Sequence, residues 1–210
     1  MGIPKRLNRA EQTAQNGRRL LEAARATFVE NGYYATTLDT VALAAGFTKG
    51  AVYSRFSSKA DLFLHLLEER IDERCREIQA LSLSADGGDS TALFRQGMRR
   101  LRTDTAWTLL VIEFRVAAAR DPALNARYSA LHERMVAAVA DAAERDAAAK
   151  QMALAVPAKD AARLGLSLAS GMFLERAVSG AAFPEALAER GDAVLFAALT
   201  VAQRRARRAR

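Results

Sequence analysis

The sequence predicts an all-α protein, on three observations. Alanine, leucine and arginine dominate while aromatic residues make up only 7% and β-branched residues are sparse, a composition that favours helix over sheet. Apolar residues recur at three- and four-residue spacing along most of the chain, the period of one helix face. The four prolines (Pro4, Pro122, Pro157, Pro184) fall at the edges of these periodic runs, where a missing N–H does no harm to a helix. With 210 residues, half of them hydrophobic, the chain can bury a full core in one or two domains.

Charge divides the chain. Residues 1–60 carry nine basic and four acidic side chains, a net of +5, whereas residues 61–203 carry seventeen and twenty, a net of −3. Arg204, Arg205, Arg207, Arg208 and Arg210 add a further +5. A basic front on a mildly acidic body points to a polyanion-binding N-terminal domain. No uncharged apolar stretch reaches the roughly 18 residues of a membrane span, and Lys5, Arg6 and Arg9 are not followed by the apolar run of a secretory signal. The lone Cys75 offers neither an internal disulfide nor a cysteine-based metal site, so a cytoplasmic location is expected.

Taken in order, residues 1–10 read as a mobile basic arm. From Glu11 to Asn31 the pattern is helical, with Leu20, Leu21, Ala24 and Phe28 on one face, and Asn31-Gly32 stops it. Thr37 is a good N-cap for a short helix from Leu38 to Ala45, whose inward positions are Leu38, Val41, Ala42 and Ala45. Gly46 makes a sharp turn, Phe47 plugs the corner, and Thr48 caps a third helix running to Phe56. Small Ala42 lets the two helices cross closely. Ala42, Gly46 and Val52 at this spacing make a helix-turn-helix, an element able to enter the DNA major groove. Ser58, with Asp61 three residues on, starts a fourth helix whose apolar residues recur from Leu62 to Ile78. Asp86-Gly87-Gly88-Asp89 is a loop. Beyond it only helices are expected, at about 90–103, 105–119, 122–148, 158–180 and 190–205. Asp121-Pro122 is a clean helix start.

Residues 14–74 resemble the DNA-binding domain of the TetR family of transcriptional regulators. The resemblance is carried by Phe28 and Asn31-Gly32, then Thr37, Leu38, Val41 and Ala42. It continues with Ala45-Gly46-Phe47, the run Thr48 to Tyr53, and Phe56, Ser58, Lys59, Leu62 and Phe63. Arg55 departs from it, since members usually carry histidine or another aromatic there. The resemblance implies an N-terminal three-helix DNA-binding domain, residues 1–57 with the helix-turn-helix at 37–56. A long helix would join it to a larger helical domain, residues 58–210, for effector binding and dimerisation. The implied function is a dimeric repressor on a near-palindromic operator, released by a small and at least partly hydrophobic molecule. A ligand-dependent activator of the same fold is the alternative.

Within that frame Thr48, Lys49 and Gly50 open the recognition helix, where side chains face base edges. Lys49 can donate to guanine O6 or N7, Thr48 can meet a base or a phosphate, and Gly50 allows close backbone approach. Tyr53, Thr37 and Lys59 are expected on phosphates, with Thr36, Ser54 and Arg55 as further candidates. Candidate effector-pocket residues are Phe94, Met98, Trp107, Leu110, Phe114, Tyr128, His132, Met135 and Phe173, with Glu113 and His132 able to orient a ligand. Small and apolar residues of the last two helices, Ala161, Leu164, Gly165, Leu168, Ala169, Met172, Val194 and Ala198, are the candidate dimer interface. No metal-ligand spacing, phosphate loop or nucleophile motif is present, so neither a catalytic residue nor a metal or cofactor is expected. A small helical enzyme and a membrane-surface protein are the competing classes, and both lack a motif.

Overall fold

The computed structural model describes residues 8–83 and 104–202. Eight α-helices occur among them: α1 Arg9–Ala35, α2 Leu38–Ala45, α3 Lys49–Tyr53, α4 Lys59–Ser82, α5 Thr105–Ala119, α6 Pro122–Ala149, α7 Ala158–Ser179 and α8 Glu185–Leu199. A 3-10 turn, Gly180–Ala182, and two short strands, β1 Met152–Leu154 and β2 Thr200–Ala202, complete the order. The helix expected at 90–103, with Phe94 and Met98, lies outside the described residues, as do residues 1–7 and the Arg204–Arg210 tail.

The described residues fall into two compact units. The first comprises those up to Glu69 together with Leu109–Tyr128; the second comprises those of Arg70–Thr108 and from Ser129 on.

The first unit is built around the apolar stripe of α1. Ala24 and Phe28 are fully enclosed, as are Val41 from α2, Val52 from α3 and Leu62 and Phe63 from α4. An aromatic cluster ties the helices together: the Phe63 ring lies 5.2 Å from Phe28 and 4.5 Å from Phe114 of α5, and Phe114 lies 5.1 Å from Tyr33. Tyr128 of α6 reaches the same cluster, 6.1 Å from Phe114. Such offset and edge-on pairs add to the area they bury. Burial raises the pKa of both Tyr33 and Tyr128.

Helix α1 begins two residues before the expected Glu11. The Asn8 side chain accepts the Glu11 N–H at 2.8 Å and the Glu11 carboxylate accepts the Asn8 N–H at 2.7 Å, a reciprocal cap. The expected stop at Asn31-Gly32 appears as a kink. Gly32 takes φ 76° and ψ 170°, a region open essentially to glycine alone, and one further turn follows. Helix α3 is shorter than expected, ending at Tyr53 instead of Phe56. There the Arg55 and Phe56 N–H groups both turn back onto the Val52 carbonyl, which tightens the last turn. At the start of α4 the expected Ser58 cap forms, and only its reciprocal bond falls one residue earlier. Ser58 Oγ accepts the Asp61 N–H, but the Asp61 carboxylate accepts the N–H of Ser57.

In the second unit, Val136 and Ala140 of α6 pack on Ala162 of α7, and Met172 gathers Leu168, Ala169 and Phe183. An added Cβ on Gly191 of α8 would sit 3.2 Å from Met172, so glycine sets that approach. Asp146, almost fully buried, is ion-paired with Lys150 at 3.0 Å.

The all-α class holds, and one short strand pair is added to the expected helices. Gln151 at φ 56° follows the end of α6, and the chain is then extended over Met152–Leu154 before it bends into Pro157. Met152, Ala153 and Leu154 pair antiparallel with Ala202, Val201 and Thr200. The last helix accordingly spans Glu185–Leu199 instead of 190–205, giving way to a strand at β-branched Thr200 and Val201.

Candidate nucleic-acid interface

The helix-turn-helix is assembled from local chemistry. Thr37 Oγ1 accepts the Thr40 N–H, and Thr40 Oγ1 accepts that of Thr37, both at 3.1 Å, which starts α2. Gly46 ends it in the left-handed conformation (φ 71°, ψ 31°), and the following Phe47 N–H reaches back to the Ala42 carbonyl at 2.9 Å. Thr48 Oγ1 then caps α3 by accepting the Ala51 N–H at 3.2 Å. Val41, Ala42 and Val52 are buried where the two helices meet, so the angle is set by packing as well as by the turn.

This architecture leaves Thr37, Thr48, Lys49, Gly50, Tyr53 and Ser54 exposed on the surface formed by α2 and α3. Tyr53 is 53% exposed. Ser54 Oγ donates to the Ala51 carbonyl, so part of its hydrogen-bonding capacity closes the helix. A Cβ built on Gly50 would meet nothing within 4 Å, so no internal contact demands glycine there. Gly46 also has open space, but its φ requires glycine.

Two of the expected contact residues are engaged inside the fold. Thr36 is completely buried, and its hydroxyl donates to the Gly32 carbonyl at 2.8 Å, so it closes the α1–α2 connection from within. Lys59 Nζ donates to the carbonyls of Tyr33 and Tyr34 at 2.9 and 2.7 Å and lies 4.9 Å from the Tyr33 ring centre. It thereby caps the C-terminal end of α1, where a cation suits the helix dipole. Burial lowers its pKa.

Sequence spacing missed three partners. Asp39 of α2 holds Lys49 across the turn, Oδ2 to Nζ 2.6 Å, and this hydrogen bond raises the lysine pKa. The Arg55 guanidinium lies against α1, where a Cβ on Gly17 would meet Nη1 at 2.8 Å. Glu113 of α5, expected beside a ligand, instead accepts the Tyr33 N–H at 2.7 Å. Its carboxylate would lie 3.0 Å from a Cβ on Gly32, so the glycine makes room for it. Only the opposite charges of Asp39 and Lys49 were visible beforehand, and sign alone does not identify a pair.

The pocket candidates divide between the units. Leu110, Phe114 and Tyr128 belong to the first, with Leu110 and Phe114 fully buried. Trp107, His132, Met135 and Phe173 belong to the second, with Trp107 and Phe173 buried and His132 and Met135 half-buried. Of the dimer candidates, Ala161, Gly165 and Met172 are buried within the chain's own fold, and Leu168 and Ala169 pack on Met172. Leu164, Val194 and Ala198 are exposed. Leu174, Val178 and Leu187, which periodicity did not single out, are exposed as well. Among the described residues no group of His, Cys, Asp and Glu has metal-site geometry, and no helix is long and apolar enough to cross a membrane.

Comparison with known proteins agrees with this geometry. Residues 20–66 match the family model described as bacterial regulatory proteins, tetR family. The HTH-type transcriptional activator FasR of Mycolicibacterium smegmatis is 37% identical over 86 residues, covering 40% of this chain and 39% of that protein. The HTH-type transcriptional regulator TtgR of Pseudomonas putida is 34% identical over 91 residues, covering 43% of each. These curated relatives are thus matched over about two-fifths of their own length. Among solved structures, Salmonella enterica GusR superposes with a TM-score of 0.75 at 24% identity, covering 91% of this chain and 99% of that one. That likeness is one of fold.

Proposed function

We propose that this member of the TetR family of bacterial regulatory proteins is a homodimeric, DNA-binding transcriptional repressor released by a small, partly hydrophobic effector. The observation that carries the proposal is the exposed start of α3, with Thr48, Lys49 and Gly50 held clear of the core by buried Val52 and the left-handed Gly46. Residues at the start of a second helix so presented meet base edges in the major groove, and exposed Tyr53 and Thr37 are offered to the phosphate backbone. The functional division is residues 1–57 for DNA and 58–210 for effector and partner.

The partner is a second copy. Leu164, Leu174 and Val178 on α7 and Leu187 and Val194 on α8 are exposed apolar residues on the two last helices. Pairing such faces across a two-fold axis sets two recognition helices about 34–36 Å apart, one turn of DNA, so the operator is a near-palindrome. The effector favours one arrangement of the helical domain over another, and release is the differential free energy of that preference. The relative named as an activator motivates a second reading, ligand-dependent activation from the same fold.

The test is retention of DNA by the full-length protein. Genomic fragments, including the region upstream of its own gene, are selected and confirmed by gel shift at two salt concentrations. A palindromic sequence whose affinity falls steeply with salt is expected. Failure to retain any palindrome overturns the proposal. Reporter output with and without the bound site separates repression from activation.

A further inference from the structure

We propose that Asp39 and Lys49 act as one donor–acceptor couple that reads a G·C base pair, which makes Asp39 a specificity-determining residue. The inference rests on the DNA-binding reading above. Between Asn31 and Ser54 these two are the only charged side chains, and they face each other across the turn. Their side chains are 40% and 70% exposed, so the pair stands on the surface beside Thr48 and Gly50. Asp39 Oδ1 is enclosed, which leaves Oδ2 as the oxygen that meets Lys49 and any incoming group.

A phosphate anchor would not be built this way. A lysine neutralised by a carboxylate at 2.6 Å adds no net positive charge to the surface, and the carboxylate repels phosphate. Base edges reverse that judgement, because they carry donors as well as acceptors. A lysine alone has three donors and no acceptor, so it settles on guanine O6 and N7, adenine N7 or thymine O4 with limited discrimination. A carboxylate beside it adds the demand for a donor next to the acceptor. The G·C edge meets that demand in one plane, guanine O6 and N7 receiving from Lys49 and cytosine N4 donating to Asp39. An A·T pair offers a donor on adenine N6 but flanks it with thymine O4, which faces the carboxylate unfavourably.

The couple also alters what a single substitution reports. Lys49→Ala leaves Asp39 unpaired before the phosphates, so a uniform loss on every sequence is superimposed on any loss of base preference. Removing both charges separates the two effects.

The experiment uses the full-length protein and the operator selected above, with every half-site position varied in turn. Binding is measured by fluorescence anisotropy at fixed salt for wild type, Asp39→Ala, Asp39→Asn, Lys49→Ala and the Asp39→Ala/Lys49→Ala double variant. Melting temperature and circular dichroism confirm that each folds. The expected result is one G·C pair per half-site whose replacement weakens wild-type binding about tenfold or more. Asp39→Ala and Lys49→Ala each relax preference at that same position, the double variant relaxes it no further, and Asp39→Asn, whose amide oxygen still accepts from cytosine N4, relaxes it less than Asp39→Ala does. The proposal is overturned if Asp39→Ala shifts affinity for all sequences by one factor, if it and Lys49→Ala affect different positions, or if the shared position is A·T. A wild-type protein that selects no DNA refutes the regulator reading itself. A wild-type protein with an operator and an unmoved base preference in Asp39→Ala refutes this inference alone.

Discussion

Lys59 has two possible uses for one ammonium. Its position at the start of a helix behind the proposed DNA-reading surface suits a phosphate, yet two of its three N–H donors point to the carbonyls of Tyr33 and Tyr34. Lys59→Ala is therefore expected to lower unfolding free energy by about 1–3 kcal/mol, the cost of leaving such acceptors without a charged donor. Urea unfolding measures this. The salt dependence of DNA binding should barely move, and a drop of about one in its logarithmic slope would instead make Lys59 a phosphate contact. Gly32 is under a comparable constraint. Gly32→Ala must place a side chain at φ 76° and against the Glu113 carboxylate. Strain of that kind costs about 1–3 kcal/mol, and Glu113→Gln, which can still accept from Tyr33, should cost less. Equal stability of Gly32→Ala and wild type in urea would show that the kink is not required.

Between elements, the first unit is held by contacts that join its start to Leu109–Tyr128. The Glu113 bond to Tyr33 ties α5 to the end of α1, and Arg127 of α6 pairs with Asp61 in the first turn of α4 at 2.6 Å. Arg127 holds the Asp61 carboxyl below the ordinary aspartate value of 3.8, with Ser57 assisting and burial opposing. A carboxyl depressed in the folded state contributes stability that is present above its unfolded pKa and lost as pH falls through the folded one. Since Arg127 is half exposed, the contribution is discounted to about 1 kcal/mol or less. Arg127→Ala should thus be slightly less stable than wild type at neutral pH, and the two melting curves should converge as pH drops past 3.8. A gap that persists in acid would mean that Arg127 acts through packing.

For the whole molecule, the proposed two-fold assembly makes operator binding depend on residues far from the reading surface. Val194 is 68% exposed and Leu164 50%, so a charge at either disturbs the single chain little but cannot be buried without a partner charge. Val194→Glu and Leu164→Glu are expected to sediment as monomers and to lose affinity for the palindrome by at least tenfold, as one half-site alone then contributes. Their melting curves at low concentration should stay near that of wild-type monomer. Dimers of unchanged affinity would place the interface elsewhere.

Features whose causes lie within one helical turn can be read from the chain alone. These are the caps at Thr37, Thr48 and Ser58, the left-handed Gly46, the apolar faces of α1, α2 and α4, and hence the helix-turn-helix itself. Whatever joins distant positions came from packing. It turned Thr36 inward, set Lys59 on carbonyls 25 and 26 residues away, brought Glu113 to a backbone amide 80 residues away, and paired β1 with β2. Periodicity reports that a face is apolar or a side chain charged. The partner it meets depends on how the helices are packed, and no local pattern encodes that.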